Sequence, residues 1–242
     1  MKTKLFLISF SVFFFSWWFV FKLGFNHLSI QSEDTVPTIL TTVAIIQDRT
    51  LYLNKYYELM INSYPHPDDK NQTRGLTPFY LRKVGPNFIS AFPIVPSLSA
   101  VPIFFLPVKL GIPINFENLA YLSHMTAAFY IALSSVFLYT LVKKHFSQSE
   151  KTAVIITATY LFATINFALL SQGMWQHGFV ELFLISGLLA FYDKKLFLSG
   201  LLLGLALLTR PTSAIAVGLV SILVFWQTFP NWRRIIVYIL GF

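Results

Sequence analysis

Apolar residues run in long blocks along this chain, and block length carries more information than periodicity. Residues 5–25 are almost wholly apolar behind Lys2 and Lys4. A helix needs about 20 such residues to cross a hydrocarbon core of about 30 Å. The block predicts a retained signal anchor, because it is long for a leader and no small-x-small cleavage site follows it. Further blocks lie at 119–142, 152–170, 178–192, 196–209 and 213–228, and another begins at residue 235. The pattern predicts an all-α, polytopic transmembrane helical bundle of about six to seven spans.

The blocks divide the chain into three parts. Residues 1–25 form the anchor, 26–118 a long extracytoplasmic loop, and 119–242 the helical bundle, whose last span is cut short at eight residues. That short end predicts a fragment of a longer membrane protein. The loop carries two juxtamembrane segments. Residues 35–62 place Val36, Ile39, Leu40, Val43 and Ile46 at helical spacing, which predicts an amphipathic surface helix. Residues 88–110 are apolar but hold Pro93, Pro96, Pro102 and Pro107. Interior prolines remove backbone bonds and clash with the preceding turn, so a helix lying in the interface is expected instead of a straight span. The stretch Tyr64-Pro-His-Pro-Asp-Asp-Lys-Asn between them is turn chemistry.

Composition agrees with a membrane protein. The chain is 55% apolar and 12% charged, against about 25% charged in soluble domains. It has no cysteine, which removes disulfide scaffolds, Cys-ligated metals and thiol nucleophiles. The net charge of +8 would ordinarily raise nucleic acid as a partner. Its placement argues for orientation instead. If every block crosses, the amino terminus and the linkers at 143–151, 193–195 and 231–234 fall on one side. These four segments hold nine of the 18 Lys and Arg residues and, as acids, only Glu150 and Asp193. The long loop balances seven basic against seven acidic residues. The positive-inside rule then puts the amino terminus in the cytoplasm, with multi-pass insertion in the inner (plasma) membrane, membrane lipid as a partner and no nucleic acid.

Ionisable residues at membrane depth are expensive and mark functional sites by default. Glu33, Asp34, His124, His177, Glu181 and Arg210 all fall at or near the predicted outer face. His177 and Glu181 are four apart on one helix face and could simply steady each other. The preceding string Ser171-Gln-Gly-Met-Trp-Gln-His177 adds amides and an aromatic ring. Gln172 and Trp175 there suit a sugar, whose hydroxyls and apolar face must both be met. The same Trp would also fit an interfacial aromatic belt. Arg210 sits between an apolar block and Pro211, where it complements a helix terminus or offers a fork of donors to phosphate. Asp34, in Ser32-Glu-Asp-Thr-Val-Pro37, suits a helix cap or a general base. Asn71-Gln-Thr73 is a glycosylation sequon, and His66-Pro-Asp-Asp matches no firm metal pattern. No nucleotide-binding loop, hydrolase elbow or zinc-protease motif occurs.

Four stretches together resemble the GT-C polytopic glycosyltransferases, in particular the dolichyl-phosphate-mannose–protein mannosyltransferase family. Glu33-Asp34-Thr-Val-Pro37 resembles that family's acidic first-loop motif. Ser90-Ala-Phe-Pro-Ile-Val-Pro96 with Val101-Pro102 is similar to its proline-rich juxtamembrane segment. Residues 119–144 look like its second span with a basic inner end, and Leu208-Thr-Arg-Pro-Thr resembles the end of its Gly-rich span. The resemblance implies transfer of a sugar from a polyprenyl-phosphate donor to an acceptor hydroxyl of unknown identity. It implies Asp34 as catalytic base, with Glu33 and Asp48 as alternatives because the family's acidic order is reversed here. Arg210 and His177 would steady the leaving phosphate, with Gln172, Trp175, Glu181 and His124 around the substrate. No cofactor is implied beyond the lipid-linked donor, with a divalent metal left open. The competing classes are a transporter or flippase, which would need polar groups on facing helices at mid-membrane, and a non-catalytic remnant.

Overall fold

The computed structural model describes residues 1–23, 35–63, 78–146 and 148–242. The described residues are 77% helical. In order, the elements are α1 (Lys2–Lys22), α2 (Thr35–Gln47), a 3-10 turn (Asn54–Tyr56), α3 (Tyr57–Ser63), β1 (Leu81–Val84), β2 (Asn87–Ser90) and α4 (Ile94–Lys109). Then follow α5 (Phe116–His145), α6 (Glu150–Phe162), a π-helical turn (Asn166–Leu170), α7 (Gln176–Tyr192), α8 (Leu196–Thr209), α9 (Ala214–Thr228) and α10 (Trp232–Gly241). Among the described residues, three helical stretches are long and apolar enough to cross a membrane: Lys2–Val20, Phe116–His145 and Pro211–Thr228. Four more apolar helices, α2, α4, α7 and α8, are shorter.

Contacts divide the chain into two compact units. One comprises residues 1–13, 128–171 and 176–242, the other residues 14–127 and 172–175.

In the second unit, α2 packs against α4. Every residue of α2 from Thr35 to Ala44 is buried, which corrects the expectation of an amphipathic surface helix. Its polar face is made of threonines, and a hydroxyl can satisfy itself on the carbonyl one turn back. Thr41 does so on Pro37 at 2.7 Å and Thr42 on Thr38 at 3.1 Å. Ser97 of α4 also donates to the Thr38 carbonyl at 2.8 Å, so the buried face is bonded as well as packed. The expected single helix over 88–110 is also corrected. A two-stranded antiparallel hairpin, with Val84 opposite Asn87, occupies the start of that stretch. Gly85 turns it at φ +60°, a conformation glycine adopts without steric cost. α4 then runs unbroken through Pro102 and Pro107. Asn54 stitches the hairpin to the preceding loop by accepting from the Phe88 N–H at 2.8 Å and donating to the Pro86 carbonyl at 3.3 Å.

The first unit is built on α7 and α8, which pack along their lengths, and α10 lies against α8. The last turn of α5 carries Lys143, Lys144 and His145, where cations complement the helix dipole. The outer faces are apolar. On α9, Ile215, Leu219, Ile222 and Trp226 recur at helical spacing and are 64–80% exposed. A stripe of that size on a soluble surface would be an aggregation hazard; against lipid it is the expected lining.

Candidate functional site

Arg210 closes α8. Its backbone is extended, with φ −156°, and its N–H still bonds the Ala206 carbonyl at 3.1 Å. Pro211 opens a 3-10 turn immediately afterwards, so the helix cannot continue and Arg210 is held at the bend. Its guanidinium is fixed from two directions. Nε donates to Thr212 Oγ1 at 2.9 Å, and a terminal nitrogen donates to His177 Nδ1 at 3.2 Å. A guanidinium only donates, so His177 Nδ1 accepts, which requires a neutral ring carrying its proton on Nε2. Among the described residues, Arg210 forms no ion pair with a carboxylate. The sequence predicted the two residues at one site, and the structure brings them into contact.

One turn along α7 from His177, Glu181 has different company. The Tyr160 hydroxyl of α6 donates to Glu181 Oε2 at 2.6 Å, and Ser134 Oγ of α5 lies 2.7 Å from the same phenol oxygen. Asn166 donates through Nδ2 to the Tyr160 backbone carbonyl at 3.0 Å. It also opens the π-helical turn, where the Ser171 N–H reaches back five residues to the Asn166 carbonyl at 2.9 Å. Such turns widen a helix and recur at functional sites. The Asn166 side-chain oxygen is buried with no partner among the described residues. Spacing put Glu181 on the helix face of His177 but missed Tyr160, Ser134 and Asn166. Asn166 was signalled by the polar interruption Thr164-Ile-Asn166 in the apolar block over 152–170.

The other predicted residues fall elsewhere. Gln172 and Trp175 belong to the second unit, as does His124. His124 is fully buried, stacks on Phe14 with ring centroids 5.7 Å apart, and holds Nε2 3.2 Å from the Phe14 carbonyl. That is the geometry of a packed core histidine. Nearby, the Ser123 hydroxyl accepts from the Met174 N–H at 3.0 Å, and the Trp175 indole N–H is buried without a partner among the described residues. Asp48 is engaged in a loop clamp, accepting from Tyr56 at 2.7 Å and from Lys55 at 3.0 Å. Burial alone would raise the Asp48 carboxyl, but the Tyr56 and Lys55 hydrogen bonds and the Lys55 charge bring it below the usual range. The Tyr56 phenol is pushed up by burial and by the bond and charge of Asp48. Glu33, Asp34, the His66 motif and the Asn71 sequon lie outside the described residues. Among the described residues, no group of three or more His, Asp or Glu could hold a metal ion.

Comparison with family models, with curated proteins and with solved structures finds no match to this chain. The likeness to the mannosyltransferase family therefore rests on the four short stretches alone.

Proposed function

We propose that this chain is a multi-pass inner-membrane glycosyltransferase with its amino terminus and basic linkers in the cytoplasm. On this proposal it moves a sugar from a polyprenyl phosphate to an acceptor hydroxyl on the opposite face. The observation that carries the proposal is Arg210: a guanidinium locked at a helix end by His177 and Thr212, with no carboxylate partner among the described residues. A fixed, uncompensated donor fork suits an anion such as phosphate.

In the proposed reaction the acceptor oxygen attacks the anomeric carbon as its proton passes to Asp34 or Glu33. The bond from that carbon to the phosphate oxygen breaks, and the polyprenyl phosphate leaves with the bonding electrons. Arg210 meets the growing negative charge, and neutral His177 holds the guanidinium in place. Electrostatic donors of this kind typically contribute about 3 kcal/mol to the transition state.

The test uses membranes containing the full chain and a panel of labelled polyprenyl-phosphate sugars. Wild type should transfer label from one donor, Asp34→Asn should abolish transfer, and Arg210→Gln should slow it by roughly 100-fold. Transfer unchanged by Arg210→Gln, or no transfer from any donor, would overturn the proposal.

A further inference from the structure

At the end of the first unit far along α8 from Arg210, a cavity of about 490 Å³ opens between the α7–α8 turn and the first turn of α10. Lys194, Arg233 and Arg234 line it, together with Gln227, Phe191 and Val237. All three are exposed, so water screens their mutual repulsion in part, and they leave the concavity positively charged. The acid in the same turn does not offset them. Asp193 Oδ1 already accepts from Lys144 at 2.7 Å and lies 2.6 Å from His145 Nε2. Among the described residues, none of the three lining cations forms an ion pair.

Two local features hold the cations in place. Lys194 ends α7 in the left-handed region, φ 61°, where the Lys194 N–H bonds Phe191 and the Lys195 N–H bonds Ala190. That is a helix-terminating motif normally made with glycine, and here it holds a lysine at the rim. Arg233 and Arg234 stand in the first turn of α10, the positive end of its dipole, where cations are disfavoured and anions welcome. A bound anion would offset both the mutual repulsion and the unfavourable dipole.

We propose that this cavity binds the phosphate-bearing headgroup of an anionic membrane lipid. The apolar part of the lining favours a lipid over a soluble phosphate compound. Phe191 and Val237 are part of the lining, and exposed Phe197, Ile236 and Leu240 lie on α8 and α10 as a surface for acyl chains. Basic pockets between membrane helices on the cytoplasmic side take up such headgroups. The inference rests on the multi-pass reading above, with these turns at the inner interface, but not on sugar transfer.

The experiment is lipid retention by the purified full-length chain in mixed micelles of phosphatidylglycerol and phosphatidylcholine, read by native mass spectrometry. Wild type should retain phosphatidylglycerol selectively. K194Q/R233Q/R234Q should lose roughly ten-fold or more of that retention. K2Q/K4Q/K151Q, which removes equal charge outside the cavity, should keep it. Excess inorganic phosphate should leave the lipid bound. Equal loss in both triple variants, displacement by inorganic phosphate, or no selectivity in wild type would each overturn the proposal. If the first triple variant fails to fold, R233Q and R234Q tested singly decide the matter, each expected to weaken retention several-fold. Carbonate extraction of the wild-type chain from membranes tests insertion separately, so failure of the membrane reading is distinguishable from failure of the site.

Discussion

At the level of single residues, the Tyr160–Glu181 bond ties α6 to α7. A carboxylate flanked by apolar helices depends on its donors, and the phenol supplies one at 2.6 Å. Tyr160→Phe removes that donor without changing shape, and leaving the carboxylate underbonded should cost about 1–3 kcal/mol of stability. Thermal unfolding in detergent measures it. Glu181→Gln combined with Tyr160→Phe should recover part of the loss, because a neutral amide needs less compensation. The Asp48–Tyr56 clamp makes a pH prediction. The Asp48 carboxyl is lowered in the fold, so its contribution is complete above the ordinary value of 3.8 and fades as pH falls through the lowered one. The Tyr56 phenol is raised, so its contribution is complete below 10.0 and fades as pH climbs beyond it. Melting temperature against pH should therefore form a plateau between these limits, and Asp48→Asn should flatten the acid limb. These partnerships were only partly legible in the sequence. Spacing shows that His177 and Glu181 share a face, but not that a residue 33 positions away would claim the first or a phenol 21 positions away the second.

Elements show where pattern reading succeeds and where packing overrides it. Long apolar blocks give α1, α5 and α9 directly, because length alone separates them from soluble helices. α2 was misjudged because threonine counts as polar in a periodicity argument, yet buries at little cost when its hydroxyl bonds the preceding turn. The hairpin was missed although Gly85-Pro86 marks a turn, since the apolar run after it dominated. Glycines let α8 and α10 approach backbone to backbone. A Cβ at Gly200 would strike the Tyr238 carbonyl oxygen, and one at Gly204 would lie 2.7 Å from the Phe242 oxygen. Gly241 faces the Phe197 carbonyl in the same way. Gly200-x-x-x-Gly204 is the spacing by which membrane helices bring their backbones together. Gly200→Ala should lower stability by about 1–3 kcal/mol, as overpacking does when only backbone stands in the way. Gly218→Ala on α9, with nothing within 4 Å of the added carbon, should show no such loss. Parallel melts of the two variants check the contrast.

For the whole molecule, the decisive quantity is the distribution of charge. Half of the basic residues cluster in four short segments that a serial crossing would place on one side, and the long loop is neutral. The absence of cysteine makes the proposed topology simple to test. Leu51→Cys in the long loop should react with a membrane-impermeant maleimide in intact cells. Gln148→Cys, between α5 and α6, should react only after permeabilisation. The reverse labelling would invert the proposed orientation and move Arg210 to the wrong face for a lipid-linked donor. Among the described residues three helices have membrane length; the blocks 178–192 and 196–209 mark α7 and α8 almost residue for residue, but composition does not say whether helices that short cross.

The backbone contact between α8 and α10 also bears on which substitutions a lineage could accept. Where a neighbour is a side chain, as Leu203 is for Gly187 on α7, a change can be absorbed by a compensating change opposite. Where the neighbour is a carbonyl oxygen there is nothing opposite to alter, since every residue has the same one. Positions 200, 204 and 241 should thus stay glycine in any descendant that keeps this helix pair, while the apolar residues around them drift freely among one another.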